Sequence, residues 1–416
     1  MLFSILGMAM DQLNVGEIRS FDGIICIGGE DWWYHNRGHF DFQIMRRLAR
    51  EMPVLFVNSL AVRMPSVTGD KQFAERIQRK LKSLARGVVN VENNFFVFSP
   101  MSIPGSTGQK LTGWALAPQI RYAAARAGMR RPVLWVHCPA GAALVGEIEA
   151  SAVVMQRTDR FEAFPEGDPV VLTRQIADLK RAADLVVYAA PHLMHEETGE
   201  VKRQLLVTHG VELEAFIAAG GAAGARPSKG PGDISFLPRP RVGFIGGIDA
   251  HTFDPELFLA VAARLPKAQF VMIGGCSLPE GWCTLPNVKF TGRKPYEMVA
   301  RYMAAMDVLI MPWNQSDWIK ACNPIKLKEY LAVGRPVVTT DFAALDGWRD
   351  LVRVADGAED FAAAIEAALA TPFDVAVARE RVAPESWDAK ATLVRDAILD
   401  LGLRYEAAAA PAQSAA

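Results

Sequence analysis

The stretch whose residue types most clearly suggest chemistry is 323–338, which reads NPIKLKEYLAVGRPVV. Asn323 is a good N-cap and Pro324 a good first helical residue, so a short helix is expected to begin there. Lys326 falls in the first turn, where a cation opposes the helix dipole by about 0.3–1 kcal/mol unless an anion lies between them. A diphosphate bound at the helix N-terminus would supply that anion.

A carboxylate follows on the same helix. Glu329 comes three residues after Lys326, and a carboxylate beyond a phosphate site suits the two hydroxyl groups of a ribose. The spacing therefore predicts a nucleotide site with the diphosphate at Lys326 and the ribose at Glu329. The alternative is a surface Lys–Glu pair on an ordinary helix, which contributes roughly a few tenths of a kcal/mol.

These residues need a scaffold, and a repeated pattern along the chain predicts one. Short apolar runs alternate with segments of helical spacing such as 42–50 and 172–183. The runs are too continuously apolar for half-exposed strands, so a buried parallel sheet is expected. The predicted strands are 24–27, 54–57, 95–98, 133–136, 153–155, 185–188, 205–208, 241–245, 269–273, 288–290, 307–311 and 336–340.

Composition limits the class of protein. The chain has 416 residues, of which 50% are hydrophobic and 22% charged, and its net charge of −1 argues against a nucleic-acid partner. Five widely spaced cysteines fit a reducing cytoplasm without disulfides. No apolar run is long enough to cross a bilayer, and the first ten residues lack the basic flank of a secretion signal, so a cytoplasmic location is expected.

A Gly-, Ala- and Pro-rich segment divides the pattern into two α/β halves. The predicted fold class is α/β, with two doubly wound Rossmann-like domains facing each other across a cleft. An amphipathic helix with Ser386 as N-cap follows, and it either lies on the second domain or crosses back to the first. The predicted segments are a first domain 1–218, a linker 219–240, a second domain 241–385, a C-terminal helix 386–403 and a disordered tail 404–416.

The stretch 323–338 resembles the nucleotide-sugar signature of GT-B glycosyltransferases, especially family 4-type enzymes: Pro-x-Lys-x-x-Glu-Tyr followed by Gly-x-Pro-Val-Val. The residues that carry it are Pro324, Lys326, Glu329, Tyr330, Gly334, Pro336, Val337 and Val338. Segments 242–249, 270–274, 287–292 and 305–312 resemble earlier units of that family's donor domain. The resemblance covers most of 241–340 and reaches the first domain only in outline.

The resemblance implies a role for each matching residue. Lys326 would contact the donor diphosphate and assist the leaving group, Asn323 would lie beside it, and Glu329 would bind the ribose. Gly246 and Gly247 would let the backbone approach the phosphates, although a plain strand-to-loop glycine pair explains them equally well. The first domain would bind the acceptor, and the nucleoside-diphosphate sugar would be a co-substrate, with no cofactor and no metal.

Two departures concern the mechanism. Many retaining relatives carry a glutamate at the position of Ala321, and many carry an arginine and a lysine where Ile248 and Asp249 stand. Arg293 is a candidate for the missing cation, and a solvated loop arginine is the alternative. These departures put a retaining mechanism in doubt.

An inverting enzyme needs a base for the acceptor hydroxyl. The predicted strand 153–155 runs into Asp159, which is expected at the opening of the sheet, as in the xanthan-type glucuronosyltransferases that this region resembles. Asp159 is therefore the predicted base, and a loop or N-cap aspartate is the alternative. Arg157 and Arg160 are expected either to hold an acidic sugar or lipid diphosphate, or to pair with nearby glutamates.

A second candidate region follows the first strand, where Gly28 and Gly29 lead into EDWWYHNRGH. Aromatic rings stack on the apolar faces of sugars, so this loop is a candidate acceptor site, and core packing of the aromatics is the alternative. The acceptor residues predicted here are Gly29, Asp31, Trp33, Arg37 and His39, to which Arg160 is added. Asp31 is the second candidate for the base. His35 and His39 have the spacing of half a metal site, but no third ligand lies near them in the sequence, so no metal is expected.

Residues 70–86 carry six basic and two acidic side chains. Their apolar residues Phe73, Ile77, Leu81 and Leu84 recur at helical spacing, so a basic amphipathic helix on an anionic membrane is predicted, with an ordinary surface helix as the alternative. The stretch 111–131, which contains Trp114 and four arginines, would extend that surface.

The function expected is transfer of a sugar, hexosyl or glucuronosyl, from a nucleoside diphosphate, with UDP favoured, to a hydroxyl of a lipid-linked glycan in polysaccharide biosynthesis. The enzyme would be cytoplasmic and peripherally bound to the inner face of the membrane. One alternative is a nucleotide-sugar epimerase of the same fold, and another is a non-catalytic nucleotide-sugar-binding scaffold. An NAD-linked oxidoreductase is disfavoured because the glycine fingerprint is missing.

Overall fold

The computed structural model describes residues 19–34, 38–60, 78, 81–101, 108–163, 168–222, 224–225, 227–316, 319 and 325–407. The chain divides into two compact units. The first comprises the residues up to Thr208 together with those from Lys390 onward, and the second comprises His209–Ala389.

The first unit is built on a sheet of eight described strands in the order β4-β5-β3-β2-β6-β7-β8-β9. Every neighbouring pair is parallel except β4 with β5. Every residue of β2, β3 and β6 is buried, which explains their uninterrupted apolar sequence. Strands β1 to β9 are Arg19–Phe21, Ile24–Ile27, Val54–Val57, Val89–Glu92, Phe95–Phe98, Val133–Val136, Ala152–Arg157, Leu185–Tyr188 and Gln204–Leu206.

Helices cover this sheet. Asp168 caps one of them by accepting hydrogen bonds from the backbone N–H groups of Val170 and Val171. The described helices of the first unit are Phe40–Leu48, Gly108–Arg126, Pro169–Ala182 and Pro191–Glu196, with 3₁₀ turns at Pro139–Leu144 and Phe161–Ala163. Their apolar sides pack with the strands into a core that includes Ile120, Leu134 and Ile176.

The second unit has a sheet of six described strands, all parallel, in the order β12-β11-β10-β13-β14-β15. Strands β10 to β15 are Arg241–Ile245, Gln269–Ile273, Val288–Gly292, Val308–Met311, Val337–Thr339 and Arg353–Val354. The helices are Leu213–Gly220, Pro255–Arg264, Tyr296–Met303, Ile325–Val333, Gly357–Ala370 and Val375–Val382, with 3₁₀ turns at Ala343–Leu345, Arg349–Leu351 and Ala383–Glu385.

The end of the chain returns to the first unit. The helix Trp387–Leu399 begins at Ser386, whose hydroxyl accepts a hydrogen bond from Ala389 N at 3.2 Å, as its sequence predicts for an N-cap. The next strand, β16 (Leu403–Tyr405), pairs in parallel with β1. The C-terminal strand is thus paired with the N-terminal strand. Of the two courses expected for this helix, the chain therefore takes the one that returns to the first unit.

The apolar runs became strands within a residue or two of their expected ends, and the expected α/β fold with two parallel sheets is confirmed. The antiparallel strand β4 was not expected, because its alternating, half-exposed sequence lacks the apolar run that identified the others. Residues 209–240 cluster with the second unit, where Phe216 belongs to the same buried core as Leu331 and Val333, whereas the sequence predicts a first domain to 218 followed by a linker.

No single helix in the described ranges is long and apolar enough to span a membrane. Two consecutive helical segments, Gly357–Ala370 and Val375–Glu385, meet the length and composition requirement only when they are counted together, and they are bent by 110° at the break between them.

Candidate functional site

The second unit has a cavity of about 490 Å³ at the carboxyl edge of its sheet, where β10, β11 and β12 end. Parallel α/β sheets bind ligands at this edge. The lining residues are Ile245, Gly246, Gly247, Asp249, Ile273, Gly274, Gly275, Cys276, Ser277, Arg293, Lys294 and Val299. A Cβ on Gly274 would lie 1.8 Å from the Gly246 carbonyl oxygen, so these two loops pack backbone against backbone. The cavity therefore offers main-chain groups where side chains would otherwise intrude.

Lys326 approaches this cavity through Gly246. A Cβ on Gly246 would lie 2.2 Å from the Lys326 ammonium nitrogen, so the absence of a side chain is what admits the lysine. The ammonium also lies 5.3 Å from the ring centroid of Phe244 and 5.8 Å from that of Trp313, within cation–π range. The structure thus brings together three predicted donor residues, Gly246, Gly247 and Lys326.

Glu329 lies one turn further along the same helix and is 6% exposed. The Tyr296 hydroxyl donates a hydrogen bond to its Oε1 at 3.1 Å. Burial raises the pKa of Glu329 to about 7, although the Tyr296 hydrogen bond and the Lys326 charge oppose the rise. A buried carboxylate of this kind gains from polar hydrogens that a ligand brings, such as ribose hydroxyls.

Tyr330 holds this helix against the sheet. Its hydroxyl accepts a hydrogen bond from Ile245 N at 2.9 Å, and its side chain is fully buried. Ile245 is the last residue of β10 and immediately precedes Gly246. The signature tyrosine therefore fixes the distance between Lys326 and the strand end that it must reach.

The remaining predicted donor residues occupy different positions. Arg293 lines the same cavity, directly beyond β12, and its guanidinium lies beside Gly275. Asp249 also lines it, and its Oδ1 accepts hydrogen bonds from His251 N and Thr252 N at 3.0 Å, so it organises its loop. Asn323 and Ala321 lie outside the described residues.

A second polar group lies at the carboxyl edge of the first sheet. His137 follows β6, and its Nδ1 lies 3.1 Å from Asp41 Oδ2, while its Nε2 lies 3.0 Å from the hydroxyl of Thr158, which follows β7. Gly29, which follows β2, lies against the same ring, because a Cβ there would be 2.6 Å from it. Three adjacent strands therefore deliver these residues to one place.

Asp41 is completely buried, at 0% exposure, in the first turn of the helix Phe40–Leu48. Its Oδ2 accepts a hydrogen bond from Gly29 N at 3.0 Å, and its Oδ1 accepts one from Phe42 N at 2.9 Å. Burial by itself would raise the pKa of Asp41, but the hydrogen bond and charge of His137 and these two backbone donors hold the pKa below its ordinary value. The buried group is therefore a carboxylate with every oxygen engaged.

The predicted acceptor residues near β2 lie in the loop that follows it. Asp31 accepts a hydrogen bond from Trp33 N at 2.9 Å and another from the Ser83 hydroxyl at 3.2 Å, so it shapes the loop. The guanidinium carbon of Arg86 lies over the Trp33 ring, 4.3 Å from the centroid of that ring. His39 is exposed just before the helix Phe40–Leu48. Arg37 and His35 lie outside the described residues.

Asp159 follows β7 and is exposed, and its backbone carbonyl accepts a hydrogen bond from Arg157 Nη1 at 2.9 Å. Arg157 itself is fully buried and pairs with Glu162 at 2.7 Å and Glu197 at 2.9 Å. The pair with Glu162 is one of the two alternatives that the sequence offers, Glu162 or Glu166, whereas the pair with Glu197 was not expected. Arg160 is exposed and pairs with Glu196.

His137 and Asp41 were missed in the sequence because 96 residues separate them. One local signal existed: a polar residue, His137, directly follows the apolar run of β6. Within the described ranges no group of three or more His, Cys, Asp or Glu side chains is arranged to hold a metal ion.

Residues 239–371 match the family of glycosyl transferases group 1. A 140-residue segment is 35% identical to the putative teichuronic acid biosynthesis glycosyltransferase TuaH of Bacillus subtilis strain 168, and covers 32% of this chain and 34% of that protein. The chain therefore matches about a third of the length of that curated relative.

Solved structures resemble the chain over nearly its whole length. Sucrose-phosphate synthase from Thermosynechococcus elongatus aligns with a TM-score of 0.61 and 17% identity, over 91% of this chain and 99% of that one. Anabaena Alr3699/HepE, solved in complex with UDP-glucose, aligns with a TM-score of 0.57 and 14% identity, over 91% and 100%. At these identities the likeness establishes the fold.

Proposed function

We propose that this chain is a group 1 glycosyltransferase of GT4 type and transfers a sugar from a nucleoside diphosphate to a hydroxyl group. The family match of residues 239–371 and the two Rossmann-like units of the GT-B kind support the proposal. The observation that carries the proposal is the position of Lys326. Its ammonium lies against Gly246 at the end of β10, beside a cavity large enough for a nucleotide, within the segment that matches the family.

The proposed chemistry is positioning and stabilisation of the leaving group. As the bond between the anomeric carbon and the diphosphate breaks, negative charge collects on the diphosphate oxygens. Lys326, Arg293 and the main-chain N–H group of Gly247 lie at or beside the cavity and would stabilise that charge. Glu329 accepts hydrogen bonds from the ribose, which orients the donor.

UDP is the nucleotide we propose, because Anabaena HepE, a structural neighbour, was solved with UDP and with UDP-glucose. The acceptor we propose is a lipid-linked glycan in polysaccharide biosynthesis. The relative TuaH, whose name assigns it to teichuronic acid biosynthesis, supports that choice for the matched segment.

The sequence assigns the base to Asp159. Its exposed carboxylate at the carboxyl edge of the first sheet is compatible with that role. The same edge holds a second group able to accept a proton, His137.

A membrane-facing surface is proposed for the first unit. The helix Gly108–Arg126 exposes Trp114 at 74% and Tyr122 at 62%, with Arg121 beside them. Trp and Tyr with basic neighbours are typical of helices that lie at an anionic membrane interface. Of the basic stretch 70–86, the structure describes residues 78 and 81–86, where Leu81 is 60% exposed; Phe73 and Ile77 lie outside the described residues. We therefore propose that the enzyme lies at the inner face of the cytoplasmic membrane.

Sedimentation with vesicles tests this surface. Wild-type protein should bind vesicles containing an anionic phospholipid, and binding should fall with added salt and in Trp114→Ala/Tyr122→Ala. Phe236→Ala is the matched control, because Phe236 is 72% exposed on the second unit. Equal binding by the double variant, or equal binding to neutral vesicles, would contradict the proposed surface.

A radiolabelled transfer assay tests the function. Purified protein with UDP-sugars should move label into lipid extracts of a membrane fraction, and omission of the membranes should abolish product. Conversion of the UDP-sugar without any acceptor would favour the epimerase. Binding of the donor without turnover under every acceptor condition would favour the non-catalytic scaffold.

A further inference from the structure

We propose that the second unit has a further ligand site, an anion site at the amino edge of its sheet, which binds a phosphate group, free or on a small organic molecule. The basis is a cavity of about 240 Å³ lined by two arginines, Arg335 and Arg379. Each of them has a buried nitrogen without a hydrogen-bond partner among the described residues. Such a site is separate from the nucleotide cavity, and its existence does not depend on sugar transfer.

The cavity lies at the opposite edge of the sheet from the nucleotide cavity. Asp307 and Pro336 line it, and they directly precede the parallel strands β13 and β14. Val333, the last residue of the helix Ile325–Val333, lines it as well, whereas Lys326 lies in the first turn of that helix. A helix of nine residues is about 13 Å long, so the two cavities lie at its opposite ends.

Arg335 is the more deeply buried of the two arginines, at 6% exposure. Its Nη2 donates a hydrogen bond to the carbonyl oxygen of Ala304 at 3.1 Å, and its Nη1 donates to that of Ala225 at 3.4 Å. Its Nε is buried and has no partner in the described part of the chain. Since nearly all buried N–H groups in folded proteins are paired, this one calls for a bound acceptor.

Arg379 reaches the same cavity from the helix Val375–Val382, and its Nε donates a hydrogen bond to the carbonyl oxygen of Ala332 at 3.0 Å. Its Nη2 is buried and has no partner within the described ranges. Two glycines of the cavity wall make room for it, because a Cβ on Gly220 or Gly334 would lie 2.9 or 3.4 Å from Nη2. The second unpaired nitrogen therefore lies at the wall of the cavity.

The charges of the two arginines are not balanced by a carboxylate. The acid on the cavity wall, Asp307, is already engaged, because it accepts hydrogen bonds from Arg239 Nη1 at 2.6 Å and Arg241 N at 2.7 Å. Burial lowers the pKa of Arg335, and the charges of Arg239 and Arg379 lower it further, although Asp307 raises it. Guanidinium groups stay protonated in proteins, so both positive charges remain.

These features favour a phosphate group over other ligands. A water molecule could pair with one N–H group but brings no charge, and a carboxylate brings only one. A phosphate carries a charge of about −1.5 to −2 near neutral pH, and guanidinium groups bind it through paired N–H groups. Leu369, Phe373 and Val375 form an apolar side of the cavity, which would accommodate the short carbon skeleton of a phosphate monoester.

Calorimetric titration with inorganic phosphate at constant ionic strength tests the site. Arg335→Lys keeps the charge but loses the Nε–H group, and Arg379→Gln removes the charge. We expect saturable binding to wild type and about 10-fold weaker binding or more in each variant, because each loses a hydrogen bond to a charged group. Arg264→Gln is the matched control and should bind as wild type does, because Arg264 is an exposed arginine that donates to a helix carbonyl, that of Ala260.

Two further arms identify the location and the ligand class. Phosphate could also enter the nucleotide cavity, so Lys326→Ala is titrated in parallel and should retain the binding that depends on Arg335 and Arg379. Acetate should bind more weakly than phosphate. Glycerol phosphate separates the two sources of the group: tighter binding than inorganic phosphate supports an organic monoester, and equal binding supports the free ion.

Arg379 is only partly buried, so Arg379→Gln keeps the proposal testable if Arg335→Lys does not fold. The proposal is overturned if folded wild type shows no saturable phosphate binding, or if a folded variant of either arginine binds phosphate as tightly as wild type. Loss of all phosphate binding in Lys326→Ala, or acetate binding equal to that of phosphate, would overturn it as well.

Discussion

Glu329 is an almost fully buried acidic side chain that lies near the charge of Lys326. Its pKa of about 7, against an ordinary value of 4.5, means that the folded protein holds the proton more tightly than the unfolded chain between those pH values. Stability should therefore fall as pH rises through this window, by on the order of 1.4 kcal/mol per pH unit at most. The cost arises because the ionised carboxylate lacks the ligand hydroxyls that would stabilise it.

The Glu329→Gln variant tests this dependence. The difference in unfolding free energy between the variant and wild type should shift in favour of the variant as pH rises from about 4.5 to 7. Thermal or urea unfolding across that range measures it, with Glu359→Gln, an exposed helix residue, as control. A pH-independent difference would show that Glu329 titrates like a solvent-exposed acid.

At the scale of elements, the helix Ile325–Val333 owes its position to Tyr330 as well as to packing. In Tyr330→Phe the backbone N–H of Ile245 loses its hydroxyl partner at a buried site. Leaving a buried donor unpaired costs about 1–3 kcal/mol, so unfolding should occur at lower urea and UDP affinity should fall. Tyr122→Phe, at an exposed tyrosine, is the control; equal behaviour of the two variants would contradict the anchoring role.

The elements themselves were largely predictable from the sequence. Buried parallel strands such as Val54–Val57 and Val133–Val136 are unbroken apolar runs, so local sequence suffices to find them. The strands Arg19–Phe21 and Leu403–Tyr405 were not found, because each has three residues and exists through pairing with a partner at the other end of the chain.

The residues of the candidate site also divide into those that local sequence identifies and those that depend on contacts between distant parts of the chain. Lys326, Glu329 and Gly246 could be identified because they belong to a compact signature or to a strand end. His137 and Asp41 depend on strand order, which places β6 beside β2 and β7, and strand order is not encoded in any short stretch. The loop residues Asp31 and Trp33 were found, but their hydrogen bonds to the loop itself could not be.

At the scale of the whole molecule, the first unit is discontinuous, because its last strand comes from the end of the chain. A chain that ends at Gly402 lacks Leu403, which is 5% exposed, and the ring contact between Phe21 and Tyr405 at 5.7 Å. Burying one such side chain contributes about 1.5–3 kcal/mol, so the first unit should unfold at lower temperature. The control ends at Ala407, which keeps β16; an unchanged thermal midpoint at Gly402 would contradict a stabilising role for the strand.

The central claim is that the second unit binds a nucleoside diphosphate through Lys326. Calorimetric titration with UDP, GDP, ADP and dTDP of wild type, Lys326→Ala and Lys267→Ala tests it most directly, because Lys267 is an exposed lysine of the same unit. We predict that UDP binds wild type and Lys267→Ala equally. For Lys326→Ala we predict about 10-fold weaker binding or more, since a hydrogen bond to a charged group contributes about 1.5–3 kcal/mol. Equal affinity in Lys326→Ala, or no binding of any of the four nucleotides to folded wild type, would contradict the account.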